Sequence, residues 1–464
     1  MDKRKIKIVT IGGGSSYTPE LIEGFINRKD QLNIGEIWLV DIEEGKEKLE
    51  IVGEMAKRMV KAANLDWQVH LTLDRRQALK DATYVTTQFR VGLLDARIRD
   101  ERIPLKFGLI GQETNGAGGM MKAFRTIPVI LDIIKDMEEL CPNAWLVNFT
   151  NPSGMITEAA INYGGWSKTI GLCNVPIGFM SMSKAVMGLP EEDDSLFFKF
   201  AGLNHFHWHR VWDKNGKELT DQIIDEVYKP ENKEKYKGMK NVRDLPMNYE
   251  QVKDTHLLPC SYHRYYYITD DMLQDELNEF AEHKTRAEVV KQTEKELFEL
   301  YKDPKLDYKP EQLTKRGGTH YSDAACEIIA SLENDKKTMM VVSIKNNGAV
   351  ADLPYDSIVE ISALITSHGP EAVNWGKFDP SIRGILQNQK AMEELTIEAA
   401  VTGDYGRALQ AFTVNPLVRS GKLAKEVLNQ MLLSNKDYLP QFTDAINKLE
   451  KEGETYNPQE YGIK

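Results

Sequence analysis

Apolar runs and helical stripes take turns along residues 6–173 of the chain. Short runs rich in β-branched and aromatic residues predict buried strands, and apolar positions three and four residues apart predict helices. The predicted strands span residues 6–11, 36–41, 82–90, 144–151 and 168–173, and the predicted helices span residues 19–26 and 124–140. Elements that alternate in this way form a parallel sheet covered by helices on both faces, with ligands at the carboxyl ends of the strands.

After residue 173 the pattern mixes neighbouring strands with long helices. It predicts paired strands within 196–212, strands at 339–344 and 357–362, helices at 286–301, 392–412 and 423–433, a loop followed by a helix at 317–331, and a charged surface insertion at 229–244. We see no internal repeat and no clean linker between the halves. The chain is therefore predicted to be an α/β protein, with an N-terminal Rossmann-like doubly wound domain at residues 1–173 and an interleaved α+β C-terminal domain at residues 174–464.

A glycine-rich turn joins the first predicted strand to the first helix. It contains Gly12, Gly13, Gly14, Ser15 and Ser16. A strand, a tight glycine turn and a helix start surround an anion with backbone N–H groups, although Tyr17 stands where the third glycine of the dinucleotide fingerprint is usual. Asp41 ends the second strand, where an acid holds the ribose diol of NAD+. These residues predict an NAD+ site, and a plain βαβ unit without a cofactor remains the alternative.

Cys173 and His205 are the strongest candidates for a metal site. A thiolate and an imidazole suit one divalent ion, and two protein ligands leave positions open for substrate oxygens. His205, His207 and His209 also alternate, so three imidazoles on one side of a strand are a second possibility for a metal site. For His207 and His209 we favour ordinary core positions.

Two further segments carry candidate chemistry. Residues 108–119 are rich in glycine and follow a cluster of arginines at Arg90, Arg97, Arg99 and Arg102. Such a loop either lets the backbone approach a ligand closely or is a surface loop. Residues 258–267 contain four tyrosines, and a tyrosine beside a metal and a nicotinamide cation has a lowered pKa and can act as a base.

Composition limits the function classes. The chain has 464 residues and a net charge of −11, which argues against a nucleic-acid surface. No signal segment and no run of about 18 apolar residues is visible, so we expect no membrane span. The four cysteines, Cys141, Cys173, Cys260 and Cys326, lack the spacing of a disulfide framework or a zinc finger. Together these features favour a cytoplasmic protein.

Nine short blocks, in order, resemble glycoside hydrolase family 4, the NAD- and metal-dependent glycosidases. The blocks are Ile11-Gly-Gly-Gly-Ser-Ser, Arg90-Val-Gly, Gly111-Gln-Glu-Thr, Asn148-Phe-Thr-Asn-Pro, Cys173-Asn-Val-Pro, Gly202-Leu-Asn-His, Pro259-Cys-Ser-Tyr, Thr285-Arg-Ala and Asn346-Asn-Gly-Ala. The residues after Cys173 resemble those of the 6-phospho-β-glucosidase branch, because α-directed members have Cys-Asp-Met-Pro there.

The resemblance implies NAD+ and a divalent metal such as Mn2+ as cofactors, and a phosphorylated β-glucoside such as cellobiose 6-phosphate as substrate. NAD+ would oxidise C3, the metal on Cys173 and His205 would stabilise the enediolate, and Tyr262 would take the C2 proton before elimination, water addition and re-reduction. This is a known exception to the paired-carboxylate scheme of glycosidases. The family usually forms homodimers or homotetramers, and the second domain is expected to serve substrate, metal and oligomer contacts.

The resemblance also suggests substrate-binding residues. Arg97 and Arg286 match family positions that bind substrate, and we assign them to the 6-phosphate. Asn151 would hold sugar hydroxyls, and Glu113 would lie beside the metal or its water. Asn174 stands where α-type members carry an aspartate. Because an amide is not an acid, the group that protonates the leaving alcohol stays open.

Three alternatives to this function remain at this point. The first is a family member acting on an α-linked or unphosphorylated sugar. The second is an NAD-dependent sugar-phosphate dehydrogenase, and the third is a non-catalytic nucleotide-sensing module that needs no Cys173.

Overall fold

A single twelve-stranded sheet runs through the part of the protein that the structure describes. The computed structural model describes residues 4–232, 242–316 and 321–463, so most of the predicted insertion at 229–244 and the start of the predicted loop at 317–331 lie outside them. The strands are β1 (Ile6–Ile11), β2 (Ile34–Val40), β3 (Gln68–Thr72), β4 (Tyr84–Thr87), β5 (Trp145–Asn148), β6 (Thr169–Gly171), β7 (Leu196–Leu203), β8 (Phe206–Asp213), β9 (Leu258–Pro259), β10 (Thr338–Lys345), β11 (Ile358–Thr366) and β12 (Gly369–Ala372).

The first half of the sheet is parallel, with the strand order β3-β2-β1-β4-β5-β6. This is the doubly wound order in which the topology reverses between β1 and β4, and dinucleotides bind across that point. Ile8 pairs with Ile37 on one side and with Tyr84 on the other. The predicted Rossmann-like domain is confirmed.

The second half continues the same sheet in antiparallel fashion. β10 pairs with β6 through Ser343 and Gly171, and the order continues as β10-β11-β7-β8-β9, with β12 on the other part of β11. The strand that pairs with the outer edge of β6 is therefore β10, which lies far along the chain. The two predicted domains share one sheet, in agreement with the predicted interleaving.

Helices from both halves cover the sheet. The helices are α1 (Thr18–Ile26), α2 (Lys46–Ala62), α3 (Arg75–Leu79), α4 (Leu93–Lys106), α5 (Gly116–Leu140), α6 (Ser153–Glu158), α7 (Val175–Val186), α8 (Thr220–Val227), α9 (Tyr249–Thr255), α10 (Arg264–Tyr267), α11 (Thr269–Ala281), α12 (Arg286–Tyr301), α13 (Tyr321–Asn334), α14 (Pro380–Thr402), α15 (Tyr405–Val414), α16 (Gly421–Ser434) and α17 (Thr443–Lys451). None of the helices within the described ranges combines the length and the apolarity that a membrane crossing requires.

The two faces of β1 belong to two different cores, because side chains alternate along a strand. Ile6 and Ile8 belong to a core that also contains residues of α1, α2, α12 and α13. Val9 and Ile11 belong to a second core built mainly with α5, α14, α15 and α16. Helices from the second half of the chain thus complete both faces of the nucleotide-binding half.

Two predicted boundaries are wrong. α5 begins at Gly116 and not at residue 124, so the end of the glycine-rich segment 108–119 is helical. The predicted helix 392–412 consists of α14 and α15, which are separated at Gly403. Gly403 has a φ of +72°, the left-handed conformation in which glycine ends a helix without steric cost.

Glu360 on β11 is a fully buried carboxyl group in the second half of the sheet. Asn204 donates a hydrogen bond to its Oε2 atom at 2.9 Å, and His207 Nε2 lies 3.5 Å from Oε1. Burial raises the pKa of Glu360 to about 8. The folded protein therefore retains this proton at pH values where an unfolded chain has released it.

This retained proton predicts a pH-dependent stability. The stabilising contribution of Glu360 to the free energy of unfolding is complete below about pH 4.5 and is lost as the pH rises to about 8. The loss is at most about 1.4 kcal/mol per pH unit. Glu360→Gln keeps a neutral side chain at every pH, so its free energy of unfolding should fall less steeply over that range. Urea unfolding across the range measures the effect, with Glu371→Gln on the exposed face of β12 as control. A Glu360→Gln effect that is the same at all pH values would contradict the argument.

Candidate active site

A cavity of about 800 Å³ opens at the carboxyl edge of the parallel strands. The predicted site residues that line it are Gly12, Gly14, Ser15, Asp41, Arg97, Glu113 and Asn151. Residues from the ends of β1, β2, β4 and β5 all contribute to its wall. The cavity is large enough for a dinucleotide and lies where the doubly wound order places one.

The glycine turn is shaped by the strands beside it. Gly12 has a φ of +86°, and a Cβ there would lie 2.7 Å from the backbone nitrogen of Phe89. The N–H group of Gly14 donates to Asp41 Oδ2 at 2.8 Å, and burial raises the pKa of that carboxyl. Asp41 is thus fixed at the rim of the turn, where a ribose diol can reach it. This cradle fits a bound dinucleotide.

Gly13 and Ser16 do not line the cavity. A Cβ on Gly13 would lie 2.7 Å from the side chain of Leu39, so glycine lets the turn pack against β2. The Ser16 hydroxyl donates towards Glu294 on α12 at 3.4 Å. Both residues hold the turn against neighbouring elements, and neither lies in the wall of the cavity that would bind the cofactor.

Cys173 and His205 meet at the end of β6, with Cys173 Sγ and His205 Nε2 3.3 Å apart. Metal bonds of about 2.3 Å to sulfur and 2.0 Å to nitrogen place two such ligands about 3.0–3.5 Å apart at bond angles between 90° and tetrahedral. Burial lowers the pKa of His205 to about 3, so its imidazole is neutral and offers a lone pair. The pair fits a divalent ion. Within the described ranges no group of three or more His, Cys, Asp or Glu side chains is placed to hold a metal.

The three alternating histidines do not form a shared site. His205 lies in the turn between β7 and β8, with a φ of +61°, whereas His207 and His209 lie on β8. His207 faces Glu360, and the ring of His209 stacks on Phe200 with centroids 4.4 Å apart. His207 and His209 are core residues, as we favoured from the sequence.

Tyr262 lies directly against the thiol–imidazole pair. Its ring stacks on that of His205, with centroids 4.1 Å apart and an interplanar angle of 2°. Burial and the nearby Cys173 raise the pKa of its phenol, the opposite direction from the one expected beside cations. A metal ion on Cys173 and His205 would reverse that direction, because a nearby positive charge favours the phenolate.

Asn174 follows Cys173 and is the N-cap residue of α7. Its Oδ1 atom lies 3.9 Å from Cys173 Sγ. The amide is therefore close to the pair, and its catalytic role remains a prediction.

Arg97 and Arg286 line different cavities. Arg97 on α4 faces the large cavity, whereas Arg286, the first residue of α12, lines a neighbouring one of about 200 Å³ and donates to the Arg316 carbonyl at 2.7 Å. Glu101 connects the two arginines. Its carboxylate accepts a hydrogen bond from Arg97 Nε at 2.8 Å and another from the backbone N–H of Ala287, next to Arg286, at 2.7 Å. Burial and the proximity of Arg97 lower the pKa of Arg286.

Glu113 is surrounded by three cations. Its carboxylate lies 2.5 Å from Arg90, 3.0 Å from Arg97 and 2.8 Å from Lys122. Although burial opposes ionisation, these charges hold the pKa of Glu113 well below its usual range. Asn151 lines the same cavity after β5, and its Oδ1 accepts from the Ser153 N–H at 3.4 Å.

Comparison with known proteins accounts for this arrangement. The model of the family 4 glycosyl hydrolases matches residues 7–189, and the model of their C-terminal domain matches residues 200–418. The chain belongs to this family. It is 55% identical to the probable 6-phospho-beta-glucosidase of Bacillus subtilis, over 95% of this chain and 99% of the relative, and 45% identical to the 6-phospho-beta-glucosidase of Escherichia coli, over 97% and 99%.

A solved structure of the family agrees. The chain is similar to the 6-phospho-beta glucosidase from Thermotoga maritima with manganese, NAD+ and glucose-6-phosphate, with a TM-score of 0.82 and 35% identity over 93% of this chain and 99% of that one. The fold of this family 4 member is thereby confirmed, as is the resemblance to the 6-phospho-β-glucosidase branch.

Several residues of this family 4 site were not identified from the sequence. They are Tyr17, Lys122, Glu294 and Arg316, which line the cavity, and Thr114, which contacts His205. The guanidinium of Arg316 lies over the ring of Tyr17, 4.4 Å from its centroid. Tyr17, which replaces the third glycine of the dinucleotide fingerprint, therefore contacts a residue from the second half of the chain. Lys122 carries a visible signal, because it interrupts the apolar run 120–124 inside a helix.

Thr114 contacts His205, the candidate metal ligand of this family 4 member. Its hydroxyl lies 3.1 Å from His205 Nδ1, which leaves the lone pair of Nε2 for a metal. We expect Thr114→Val to weaken Mn2+ binding about 10- to 100-fold without changing NAD+ binding. Equilibrium dialysis measures both, and the control is Thr396→Val, at a buried threonine whose hydroxyl donates to the backbone carbonyl of Met392. Unchanged Mn2+ affinity in Thr114→Val would show that the hydroxyl is not needed.

Proposed function

We propose that this chain is a 6-phospho-β-glucosidase, which hydrolyses 6-phospho-β-glucosides such as cellobiose 6-phosphate to glucose 6-phosphate, and that it uses NAD+ and Mn2+. The observation that carries the proposal is the contact of Cys173, His205 and Tyr262 with one another. These three residues do not themselves line the large cavity, but Thr114, which contacts His205, directly follows Glu113 in its wall. The names of the relatives from Bacillus subtilis and Escherichia coli support the same activity.

The cofactors supply the chemistry that side chains lack. NAD+, held by Gly12, Gly14, Ser15 and Asp41, would accept a hydride from C3 of the sugar and later return it. A divalent ion held by Cys173 and His205 would stabilise negative charge on the C2 and C3 oxygens. The T. maritima structure contains manganese, NAD+ and glucose-6-phosphate together, which supports this cofactor set.

The protein side chains then position the sugar and move one proton. Arg97 and Arg286 would bind the 6-phosphate, since planar guanidinium groups match phosphate oxygens, and Asn151 would hold hydroxyl groups. Tyr262 takes the proton from C2 once C3 is a ketone, because the ketone makes that proton acidic. The C1–O bond breaks, water adds to C1, and Tyr262 returns the proton.

Glu113 and Asn174 complete the proposed site without acting as acids. Three cations keep Glu113 ionised, so it holds Arg97 in place and has no proton to donate. The amide of Asn174 can donate a hydrogen bond to a leaving oxygen but not a proton. Water is therefore our candidate for protonating the leaving alcohol.

The remaining parts of the proposal concern organisation. We assign NAD+ binding to residues 1–173 and most substrate, metal and oligomer contacts to residues 174–464, with Arg97, Asn151 and Cys173 contributed from the first range. A homodimer or homotetramer in the cytoplasm is the setting that the family resemblance implies. Neither nucleic acid nor a membrane is proposed as a partner.

Release of p-nitrophenol from p-nitrophenyl β-glucoside 6-phosphate tests the function. Activity should need NAD+ and Mn2+ together, under mild reductant, and no NADH should accumulate because the hydride returns. Accumulating NADH would favour a sugar-phosphate dehydrogenase. Equal activity after both cofactors are stripped would exclude the mechanism.

The same assay separates the rival substrates. Arg286→Ala should weaken activity on the phosphorylated glucoside, since a guanidinium that binds phosphate is lost. A preferred substrate on which this variant stays fully active would point to an unphosphorylated sugar. Preference for the α-anomer would contradict the role given to the Cys173-Asn-Val-Pro segment.

A further inference from the structure

The proposed reaction has one proton that Tyr262 does not account for. Oxidising the C3 alcohol to a ketone removes a hydride from carbon and a proton from the hydroxyl oxygen. Tyr262 is committed to the C2 proton, which leaves only after the ketone exists. A second group near the cavity must accept the hydroxyl proton and hold it until re-reduction.

Lys122 is placed for this task. It lies in the second turn of α5, its side chain is only 4% exposed, and it lines the large cavity together with Gly12 and Asn151. Its Nζ atom lies 2.8 Å from Glu113 Oε2. A charged side chain is costly to bury, and the ion pair with Glu113 offsets that cost while Lys122 still lines the cavity.

The surroundings of Lys122 favour an amine that exchanges its proton. Burial and the adjacent Arg90 and Arg97 lower its pKa to about 7, against the opposing effect of Glu113. His205, whose pKa is lowered by burial, also lies within electrostatic reach of Lys122. A base works best with a pKa near the working pH, and among three cations around Glu113 only the lysine can lose its proton.

We infer that Lys122 is a catalytic residue that accepts the proton of the C3 hydroxyl as C3 is oxidised, and returns it when the ketone is reduced. The O–H bond breaks and an N–H bond forms on Nζ, while the hydride of C3 passes to NAD+. Both steps reverse at the end of the cycle, so protons and electrons balance without another reactant. This inference rests on the proposed function and assigns a step within it.

A purely structural role is the competing explanation. In that case Lys122 only balances the charge of Glu113, and arginine would serve equally well. Lys122→Arg keeps the positive charge but cannot release a proton at neutral pH. Lys135→Arg, at an exposed position of the same helix, is the matched control.

The first measurement uses two substrates. On p-nitrophenyl β-glucoside 6-phosphate we expect Lys122→Arg to lower kcat about 10²- to 10⁴-fold, with a larger isotope effect from deuterium at C3. On 3-keto-glucose 6-phosphate, which needs no oxidation, exchange of the C2 hydrogen with solvent deuterium should equal that of the unchanged protein. Loss of both activities in Lys122→Arg, or full retention of the first, would overturn the inference.

The second measurement needs neither cofactor. NMR of ¹⁵N-lysine side chains in the protein free of NAD+ and metal should show one resonance that titrates near neutral pH and is missing in Lys122→Arg. Absence of such a resonance would also overturn the inference. Failure of the proposed function would look different, because the unchanged protein would then be inactive on the glucoside and would not exchange the C2 hydrogen of the ketone.

Discussion

Replacing Cys173 by alanine is expected to abolish Mn2+ binding at working concentrations and to lower kcat/KM at least about 100-fold. The pair of Cys173 and His205 offers two protein ligands, 3.3 Å apart, so the loss of one leaves a lone imidazole. NAD+ affinity should not change, since the glycine turn after β1 is a separate element. Equilibrium dialysis with Mn2+ and NAD+, together with the glucoside assay, measures all three quantities.

A second buried cysteine supplies the control for Cys173→Ala. Cys326 on α13 is also fully buried, and its thiol donates to the carbonyl of Leu21 at 3.6 Å. Cys326→Ala creates a comparable small cavity and should cost stability without affecting Mn2+ affinity. If both variants lose Mn2+ equally, the effect of Cys173→Ala is one of folding and the metal assignment is wrong.

Replacing Tyr262 by phenylalanine is expected to lower kcat about 10²- to 10⁴-fold, the usual contribution of a general base. The aromatic ring remains, so the stacking on His205 and the packing of the segment are preserved. Solvent deuterium should no longer enter C2 of the product, because no group takes that proton. Mass spectrometry of glucose 6-phosphate formed in deuterium oxide measures the exchange.

Tyr267→Phe is the matched control for Tyr262→Phe. It lies in the same tyrosine-rich segment, and its ring contacts His263 at a centroid distance of 5.8 Å. Its hydroxyl is not part of the proposed chemistry, so rate and exchange should stay unchanged. Persistent C2 exchange in Tyr262→Phe would transfer the role of base to another group.

Local chemistry made the nucleotide half predictable. A buried strand, a tight glycine turn and Asp41 lie within one βαβ unit, so a short stretch of sequence is enough to predict the nucleotide site. The parallel arrangement of the strands followed from the alternation of elements. Cys173 and His205 were recognised because each lies in a family block, and the structure brings their side chains together.

Contacts between distant segments made the rest unpredictable. Glycine has a low helix propensity, so residues 116–119 looked like a loop. The structure explains the glycines by packing, since a Cβ on Gly118 would lie 2.2 Å from the carbonyl oxygen of Gln112. The contact of Thr114 with His205 joins residues 91 positions apart, a distance that no local pattern reports.

The position of β10 has a consequence for how the protein is made. β6 finds its outer partner only in residues 338–345, so a growing chain presents the backbone groups of that strand without a neighbour during much of its synthesis. Unpaired strand edges promote association between chains. A truncated chain that ends before β10 should therefore aggregate when expressed alone, and the full chain should unfold in one cooperative transition rather than half by half.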